Sequence, residues 1–157
     1  MNCPYCGGNQ VSVVNSRPTG RDTQIWRRRS CSFCGEFFTT YEKINLSQLV
    51  VIKRSGEKQR FNRAKLFSGI YHSAIYKKDA DRGDMSILAD ELTEQVEKSI
   101  LLLKKKEIET RKIKEIAYIV LSKKAPDIFL RFVAYRDGMN RKEMKRVLEK
   151  AFFRFRG

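Results

Sequence analysis

The chain has 157 residues, 41% of them hydrophobic and 32% charged, a composition that supports a folded core and excludes a disordered chain. Lys and Arg number 33 against 18 Asp and Glu, and the formal net charge of +15 predicts a polyanionic partner, which on charge alone is equally nucleic acid, an anionic membrane or a phosphorylated ligand. No apolar run approaches the roughly 18 residues of a membrane span, and the N-terminus lacks the pattern of a signal peptide, so we expect a cytoplasmic protein with no membrane partner.

The first segment, residues 1–46, contains all four cysteines and three short stretches with the character of β-strands. The stretches are QVSVVNSR, QIWRRRS and EFFTTYEK, and turn residues such as PTGRD lie between them. We therefore predict a small antiparallel sheet in this segment.

The cysteines form two C-x-x-C pairs, CPYCG and CSFCG, each followed by a glycine that favours a turn with positive φ. Cys3, Cys6, Cys31 and Cys34 together offer the four thiolates of a structural zinc site. Four sulfur ligands leave no open coordination position, so we expect one structural Zn²⁺ per chain. The alternative is a redox motif or free thiols, which does not explain why the motif and its glycine occur twice.

Three consecutive arginines precede the second cysteine pair in a predicted strand. Strand alternation predicts that Arg27 and Arg29 lie on one side and Arg28 on the other. Guanidinium groups suit bidentate contacts with phosphates and base edges, so these three residues and Arg17 are candidate DNA contacts. The alternative is a solvated strand, and Trp26 either packs against the sheet or stacks on a base.

Residues 47–138 begin with a predicted hairpin, LVVIKRSGEKQRFN, whose turn we place at Ser55 and Gly56. Helical periodicity follows, and Asn62 is the predicted N-cap of the first helix. Lys53, Arg54, Asn62 and Lys65 would gather cations and backbone N–H groups at the start of this helix, which is a candidate anion site. The alternative is ordinary surface charge, since no Walker-type glycine loop is present.

Three more helices are predicted in the same segment. Asp84 or Ser86 would open the second, Thr110 would cap the third, and the fourth would start near Pro126 and end at Gly138. Residues 139–157 predict a last, basic amphipathic helix, for subunit packing or auxiliary DNA contact. The fold class is therefore α+β, a small antiparallel sheet followed by a mainly helical domain with an N-terminal β-hairpin.

Several motifs resemble those of the NrdR family, the bacterial transcriptional repressors of ribonucleotide reductase genes. They are CPYC, SRPTG, RRRSCSFCGEFFTTYE, VVIKRSGEKQRFNRAKLFSGI and RFVAYRDG, which follow one another at the family's spacing as far as about residue 138. The resemblance implies a DNA-binding zinc ribbon at 1–46 and an ATP-cone domain at 47–138 that senses ATP and dATP; it does not cover 139–157.

The resemblance also implies the protein's partners and site residues. It implies a repressor rather than an enzyme, one that binds double-stranded operator DNA, associates with the nucleoid when bound, and forms homo-oligomers whose size depends on the nucleotide. Lys53, Arg54 and Lys65 would hold phosphates, Asn62 and Thr110 would lie near sugar or base, and Val51 would help form the base pocket. Tyr135, in RFVAYR, would also lie at the nucleotide.

Four positions depart from the family pattern. Asn15 stands where an acidic residue or serine is usual, Phe37 where an arginine is usual, and Trp26 interrupts the arginine run. Gln59 replaces a frequent glutamate of the nucleotide pocket. The first three bear on base recognition and the fourth on the nucleotide.

Two other functions are alternatives to a nucleotide-responsive repressor. A zinc-ribbon binder of RNA or general nucleic acid would show salt-dependent, sequence-tolerant binding with no response to nucleotides. An ATPase or reductase fragment is disfavoured, because zinc claims all the cysteines, His72 is the only histidine, and no acidic Mg²⁺ motif accompanies the basic residues.

Overall fold

The computed structural model describes residues 1–19, 24–75 and 81–137, with the backbone alone for 135–137. The chain divides into two compact units, Met1–Asn45 and a second unit that begins at Leu46. Two three-stranded sheets and four helices confirm the predicted α+β class. The helix predicted at 139–157 and the terminator predicted at Gly138 lie outside the described residues.

The first unit is a three-stranded antiparallel sheet of β1 (Val11–Pro18), β2 (Gln24–Cys31) and β3 (Phe37–Lys43), with β2 in the centre. The three predicted strands are thus confirmed. Among the described residues of this unit, only Cys3, Gln24 and Cys31 are buried. So small a core does not hold a sheet of this size together by hydrophobic burial, and a further crosslink is needed.

The second unit opens with the predicted hairpin, in which β4 (Val50–Ile52) pairs antiparallel with β5 (Lys58–Arg60). A third short strand, β6 (Glu107–Glu109), lies parallel to β4 on its other side. Sequence periodicity did not predict β6, because a strand of three residues is too short for its alternation to be recognised. Its pairing brings residues almost sixty positions apart into one small sheet.

The described part of the second unit has four helices. Two lie between β5 and β6, α1 (Arg63–Ile75) and α2 (Arg82–Leu101), and two follow β6, α3 (Thr110–Lys124) and α4 (Pro126–Asp137). The predicted cap at Asn62 is confirmed, since its Oδ1 accepts a hydrogen bond from the backbone N–H of Lys65 at 3.3 Å. No described helix is both long enough and apolar enough to span a lipid bilayer.

The predicted start of α2 at Asp84 or Ser86 is wrong. The helix begins at Arg82, because the carboxylate of Asp81 caps it by accepting hydrogen bonds from the backbone N–H groups of Gly83 and Asp84. Asp84 is instead an acidic residue in the first turn, where it favours the helix dipole.

The predicted cap at Thr110 is also wrong. Glu109 is the N-cap, in an extended conformation and with no side-chain capping bond, because β6 leads directly into α3. Thr110 is the first residue of α3 and its hydroxyl bonds to β4 instead.

The four helices pack with β4 and β6 around one hydrophobic core. The apolar positions predicted on the helices are buried there, including Ile70 of α1, Val96 of α2 and Ala117 of α3. Val51 of β4 and Ile108 of β6 close the core on the sheet side. This packing fixes the hairpin and the starts of α1 and α3 in the same small region.

Candidate functional site

The two cysteine turns of the first unit have the same backbone geometry. In the first, the N–H of Gly7 donates to the carbonyl of Cys3 at 2.9 Å. In the second, the N–H of Gly35 donates to the carbonyl of Cys31 at the same distance. Gly7 and Gly35 have φ of 72° and 73°, a conformation that suits glycine, so the predicted positive φ is confirmed.

These turns bring all four thiols together. The Sγ atoms of Cys3 and Cys34 are 3.7 Å apart, as are those of Cys6 and Cys31, and all four ligand atoms lie within 4.8 Å of one another. A zinc ion with Zn–S bonds of about 2.3 Å requires sulfurs about 3.8 Å apart in a tetrahedron, whereas a disulfide requires about 2 Å. The thiols are free and could therefore hold one Zn²⁺.

In the absence of a bound ion, the pKa values of two thiols of the cluster are shifted in opposite directions. The backbone N–H of Cys34 is the main cause that lowers the pKa of the Cys31 thiol to about 7. At Cys34 the backbone N–H of Glu36 favours ionisation, but burial and the neighbouring thiols outweigh it and raise the pKa to about 12. Four thiolates at neutral pH consequently require a positive charge among them, which a bound metal ion supplies.

One face of the β1–β3 sheet engages Arg27 and Arg29 in contacts within the sheet. Arg27 Nη2 forms an ion pair with Glu42 Oε2 at 2.8 Å, and Arg27 Nε is buried with no hydrogen-bond partner among the described residues. Arg29 Nε donates to Thr40 Oγ1 at 2.9 Å. Both side chains are half-buried, so their guanidinium groups are partly committed to the sheet.

The opposite face presents arginines and aromatic rings together. Arg17 lies opposite Trp26 in the strand register, and its guanidinium carbon is 4.6 Å from the centre of the indole ring. Arg28 lies 5.0 Å from the centre of the Phe37 ring. Tyr41, directly opposite Trp26 on β3, completes the row. We call Arg17, Trp26, Arg28, Phe37 and Tyr41 the aromatic face.

The arginine run is therefore divided as strand alternation predicted, with Arg28 on the other side from Arg27 and Arg29. Sequence reasoning did not identify Tyr41 as part of a site. The register of β2 and β3 would have identified Tyr41, but this register cannot be read from the sequence. Asn15, another departure, pairs with Arg28 in the register and is exposed.

In the second unit, the predicted phosphate contacts lie around the hairpin and the start of α1. Lys53 and Arg54 follow β4 directly, and Lys53 Nζ forms an ion pair with Glu57 Oε2 at 2.9 Å. Lys65, in the first turn of α1, donates to Gln59 Oε1 on β5 at 3.3 Å. The fold thus places Lys53 and Arg54 at the turn end of the hairpin, beside the start of α3, and Lys65 in the first turn of α1. Helix N-termini with nearby cations favour an anion.

The remaining predicted contacts join this region through β4. Thr110 Oγ1 donates to the backbone carbonyl of Ile52 at 3.1 Å, which sets the N-terminus of α3 beside the end of β4. Val51 is 5% exposed and packs in the hydrophobic core, so it anchors β4 to the core. Asn62 is exposed and caps α1. The side chain of Tyr135 lies outside the described residues.

The partners of these cations differ in charge. Lys53 faces a carboxylate that sequence reasoning did not consider, whereas Lys65 faces the neutral amide of Gln59, one of the departures from the family pattern. Lys58 of β5 likewise forms an ion pair with Glu107 of β6 at 2.7 Å. The charge of Lys65 is therefore less compensated than that of Lys53.

Comparison with family models divides the chain in the same way. A model described as the N-terminal domain of transcriptional repressor NrdR-like proteins, a zinc ribbon, matches residues 1–42. A model of the ATP cone domain matches residues 49–141.

Relatives match over most of their length. The transcriptional repressor NrdR of Lachnoclostridium phytofermentans is 34% identical over 154 residues, which cover 95% of this chain and 97% of the relative. That of Hyphomonas neptunium is 31% identical, over 96% of this chain and 92% of the relative. That of Thermotoga neapolitana is 36% identical over 141 residues, 87% of this chain and 85% of the relative.

Proposed function

Because this chain belongs to the NrdR family of transcriptional repressors, we propose that it binds operator DNA upstream of ribonucleotide reductase genes and that nucleotides control this binding. The family is one of regulators and not of enzymes, and it combines a zinc ribbon with an ATP cone. The regulated genes, the identity of the controlling nucleotides and the change in oligomeric state belong to the proposal.

One observation carries the DNA-binding part of the proposal: two arginines lie on one exposed sheet face next to a four-thiol cluster. A single structural Zn²⁺ would hold Cys3, Cys6, Cys31 and Cys34 and stiffen a unit that has almost no core. Arginines on such a rigid sheet contact phosphates and guanine edges without a large entropic cost. Arg17 and Arg28 would make the main contacts.

Arg27 and Arg29 would have a second role in DNA binding. Each is already bonded within the sheet, to Glu42 and Thr40, and so would contact the phosphate backbone with its remaining donors. In this proposal Arg17 and Arg28 contribute most to sequence recognition, while Arg27 and Arg29 orient the sheet.

The nucleotide would bind around the hairpin of the second unit. Lys53, Arg54 and Lys65 would hold the phosphates beside the hairpin and the first turn of α1, with Asn62 and Thr110 nearer the sugar or base. Val51 would shape the pocket from the core side, and Tyr135 would complete it. ATP and dATP are the proposed ligands.

Control requires that the two nucleotides favour different assemblies. dATP lacks one hydroxyl of ATP, and a small preference at each site is multiplied when several chains associate. We expect the oligomer favoured by dATP to align its zinc ribbons with paired operator sites. By linkage, operator DNA must then tighten binding of the repressing nucleotide by the same factor.

A mobility-shift assay tests the whole proposal. DNA fragments from upstream of ribonucleotide reductase genes are titrated with the zinc-loaded chain in ATP, in dATP and without nucleotide. We expect a dATP-dependent shift of these fragments and none of a scrambled fragment of equal length. A shift that is the same in all three conditions would favour a nucleic-acid binder without nucleotide control.

The oligomeric state is measured in the same three conditions. Light scattering after size-exclusion chromatography should give different masses in ATP and in dATP. An equal mass in both would remove oligomerisation from the mechanism even if operator binding persisted.

A further inference from the structure

Exposed aromatic rings of the first unit lie in two places: Tyr5 and Phe33 belong to the cysteine turns, and Phe37 and Tyr41 lie on the aromatic face. On the aromatic face, Phe37 is 49% exposed and Tyr41 58% exposed, and Trp26 is half-buried beside them. Exposed rings of this size cost free energy in water unless a ligand covers them, so a group of them on one face marks a binding surface.

The rings alternate with positive charge along the sheet. The register places Arg17, Trp26 and Tyr41 in one row across the three strands, and Arg28 lies in the next row on the same face. Phe37 lies one row further on, because it is two residues from Thr39, the partner of Arg28 on β3. The two ring-bearing rows are about 13 Å apart, at about 3.3 Å per strand residue.

This arrangement suits unpaired bases. Sheets that bind single-stranded nucleic acid stack successive bases on aromatic rings or guanidinium planes, and they neutralise the phosphates with cations between the rings. In duplex DNA the base faces are covered by their neighbours, so a row of rings has little to stack on. The net charge of +15 favours nucleic acid of either kind, single-stranded or duplex.

We propose that the aromatic face binds single-stranded nucleic acid by stacking unpaired bases on Trp26, Phe37 and Tyr41, with Arg17 and Arg28 moving from the rings that they cover onto the phosphates. This activity goes beyond operator recognition, although it uses the same sheet face. It depends on two residues, Trp26 and Phe37, that depart from the pattern described above for the family.

Trp26 is the only tryptophan of the chain, so its fluorescence reports directly on this face. The zinc-loaded full chain is titrated with a thymidine 15-mer and with an abasic 15-mer that has the same phosphates and no bases. We expect the thymidine strand to quench the fluorescence and to bind about tenfold more tightly than the abasic strand. A uridine 15-mer distinguishes RNA from DNA as the source of the bases.

Substitutions separate stacking from simple apolar contact. Phe37→Leu and Tyr41→Leu should each weaken thymidine binding by roughly fivefold to tenfold, and Tyr41→Phe should rescue the loss by restoring a ring. Phe38→Leu is the matched control, because Phe38 is adjacent on β3 but on the opposite face. Zinc content and far-UV circular dichroism are measured for every variant.

Equal affinity for the thymidine and abasic strands would overturn this proposal, because charge alone would then explain binding. So would equal losses in Phe38→Leu and Phe37→Leu among variants that retain zinc. Operator duplex is shifted with the same preparations, so the two proposals fail separately. Duplex binding without thymidine binding overturns only the stacking proposal, and the reverse result overturns only the repressor proposal.

Discussion

The hydroxyl of Thr110 donates a hydrogen bond to the backbone carbonyl of Ile52 at 3.1 Å, so the first residue of α3 is fixed to the last residue of β4. Lys53 and Arg54 follow Ile52 directly. The bond therefore fixes a helix N-terminus, which favours anions, beside the chain segment that carries two of the proposed phosphate contacts.

The Thr110→Val variant tests this relationship. It keeps the shape of the side chain but removes the donor, so the Ile52 carbonyl loses a partner and we expect about 1 kcal/mol less stability in urea unfolding. ATP affinity, measured by titration calorimetry, should fall as well, because the start of α3 is less firmly placed. Thr110→Ser retains the donor and should restore both. Normal ATP affinity in Thr110→Val would show that this bond serves folding alone.

The same residue shows where sequence reasoning stops. A threonine ahead of an apolar helical stretch predicts an N-cap, and the same kind of reasoning was right for Asn62. It was wrong for Thr110 because a distant strand, β4, offers its hydroxyl a better partner. Local signals predict local bonds, whereas β6 and the contact of Thr110 depend on pairing between segments far apart in sequence.

The first unit was more predictable. Spacing and residue type alone predicted that the four cysteines converge, and two pairs of their sulfurs lie close to the separation that tetrahedral zinc coordination requires. Alternation likewise predicted that Arg28 lies apart from its neighbours. The pairing of Trp26 with Tyr41 was not predictable, because the strand register depends on the turns between strands.

Metal removal should affect the two units differently. A strong chelator should unfold the sheet of the first unit, in which few described residues are buried, and should abolish DNA binding. The helical circular dichroism signal should persist, because the described helices all lie in the second unit, which has its own hydrophobic core.

The Cys31→Ser variant should reproduce the effect of the chelator, with zinc per chain falling well below one, while Ser32→Ala in the same turn should keep its zinc. Metal content is measured by plasma mass spectrometry. A metal-free preparation that keeps its sheet and still shifts DNA would contradict the role given to the thiol cluster.

Arg28→Ala should weaken operator binding by roughly tenfold or more and leave ATP affinity unchanged, since a bidentate base contact contributes about 1–3 kcal/mol. The shift assay and calorimetry on one preparation measure both. The comparison variant is Arg27→Ala: Arg27 is bonded to Glu42, so we expect a smaller DNA-binding loss together with some loss of sheet stability. Equal loss of DNA and ATP binding in Arg28→Ala would indicate misfolding.

The two lysines of the proposed nucleotide site should differ in effect. Lys65→Ala should reduce ATP affinity about tenfold or more, because among the described residues its ammonium contacts the neutral Gln59 and no carboxylate. Lys53→Ala should cost less, because that ammonium must first leave the carboxylate of Glu57. Lys112→Ala, which removes a lysine on α3 that pairs with Glu115, controls for the loss of general charge. A larger loss in Lys53→Ala would reverse this assignment.

Arg63, the first residue of α1, pairs with carboxylates in the middle and the later part of α2 and gives a pH-dependent prediction. Its guanidinium bonds to Asp90 and, at 3.1 Å, to Glu97 of α2. Burial raises the pKa of Glu97 despite the attraction of Arg63, and Glu94 and Asp90 add repulsion. A carboxyl group whose pKa is raised by folding stabilises the fold below its unfolded-state pKa, and that contribution is lost as the pH rises through the folded-state pKa.

Arg63→Gln removes the cation that offsets this cost, so the pKa of Glu97 should rise further and the deficit should be largest when Glu97 is ionised. We expect about 1–2 kcal/mol less stability at pH 7, a value kept below that of a fully buried pair because the Arg63 side chain is 39% exposed. At pH 5 the deficit should be smaller, because a raised pKa brings Glu97 closer to its neutral form there than at pH 7. Urea unfolding followed by helical circular dichroism measures both values.

Arg111→Gln is the control for Arg63→Gln, since Arg111 pairs with Glu115 at 3.5 Å on an open surface where such pairs contribute about 0.3 kcal/mol. Its effect should be small at both pH values. A deficit in Arg63→Gln that does not change between pH 7 and pH 5 would mean that the lost packing of the long side chain, and not the charge on Glu97, determines the stability of this helix pair.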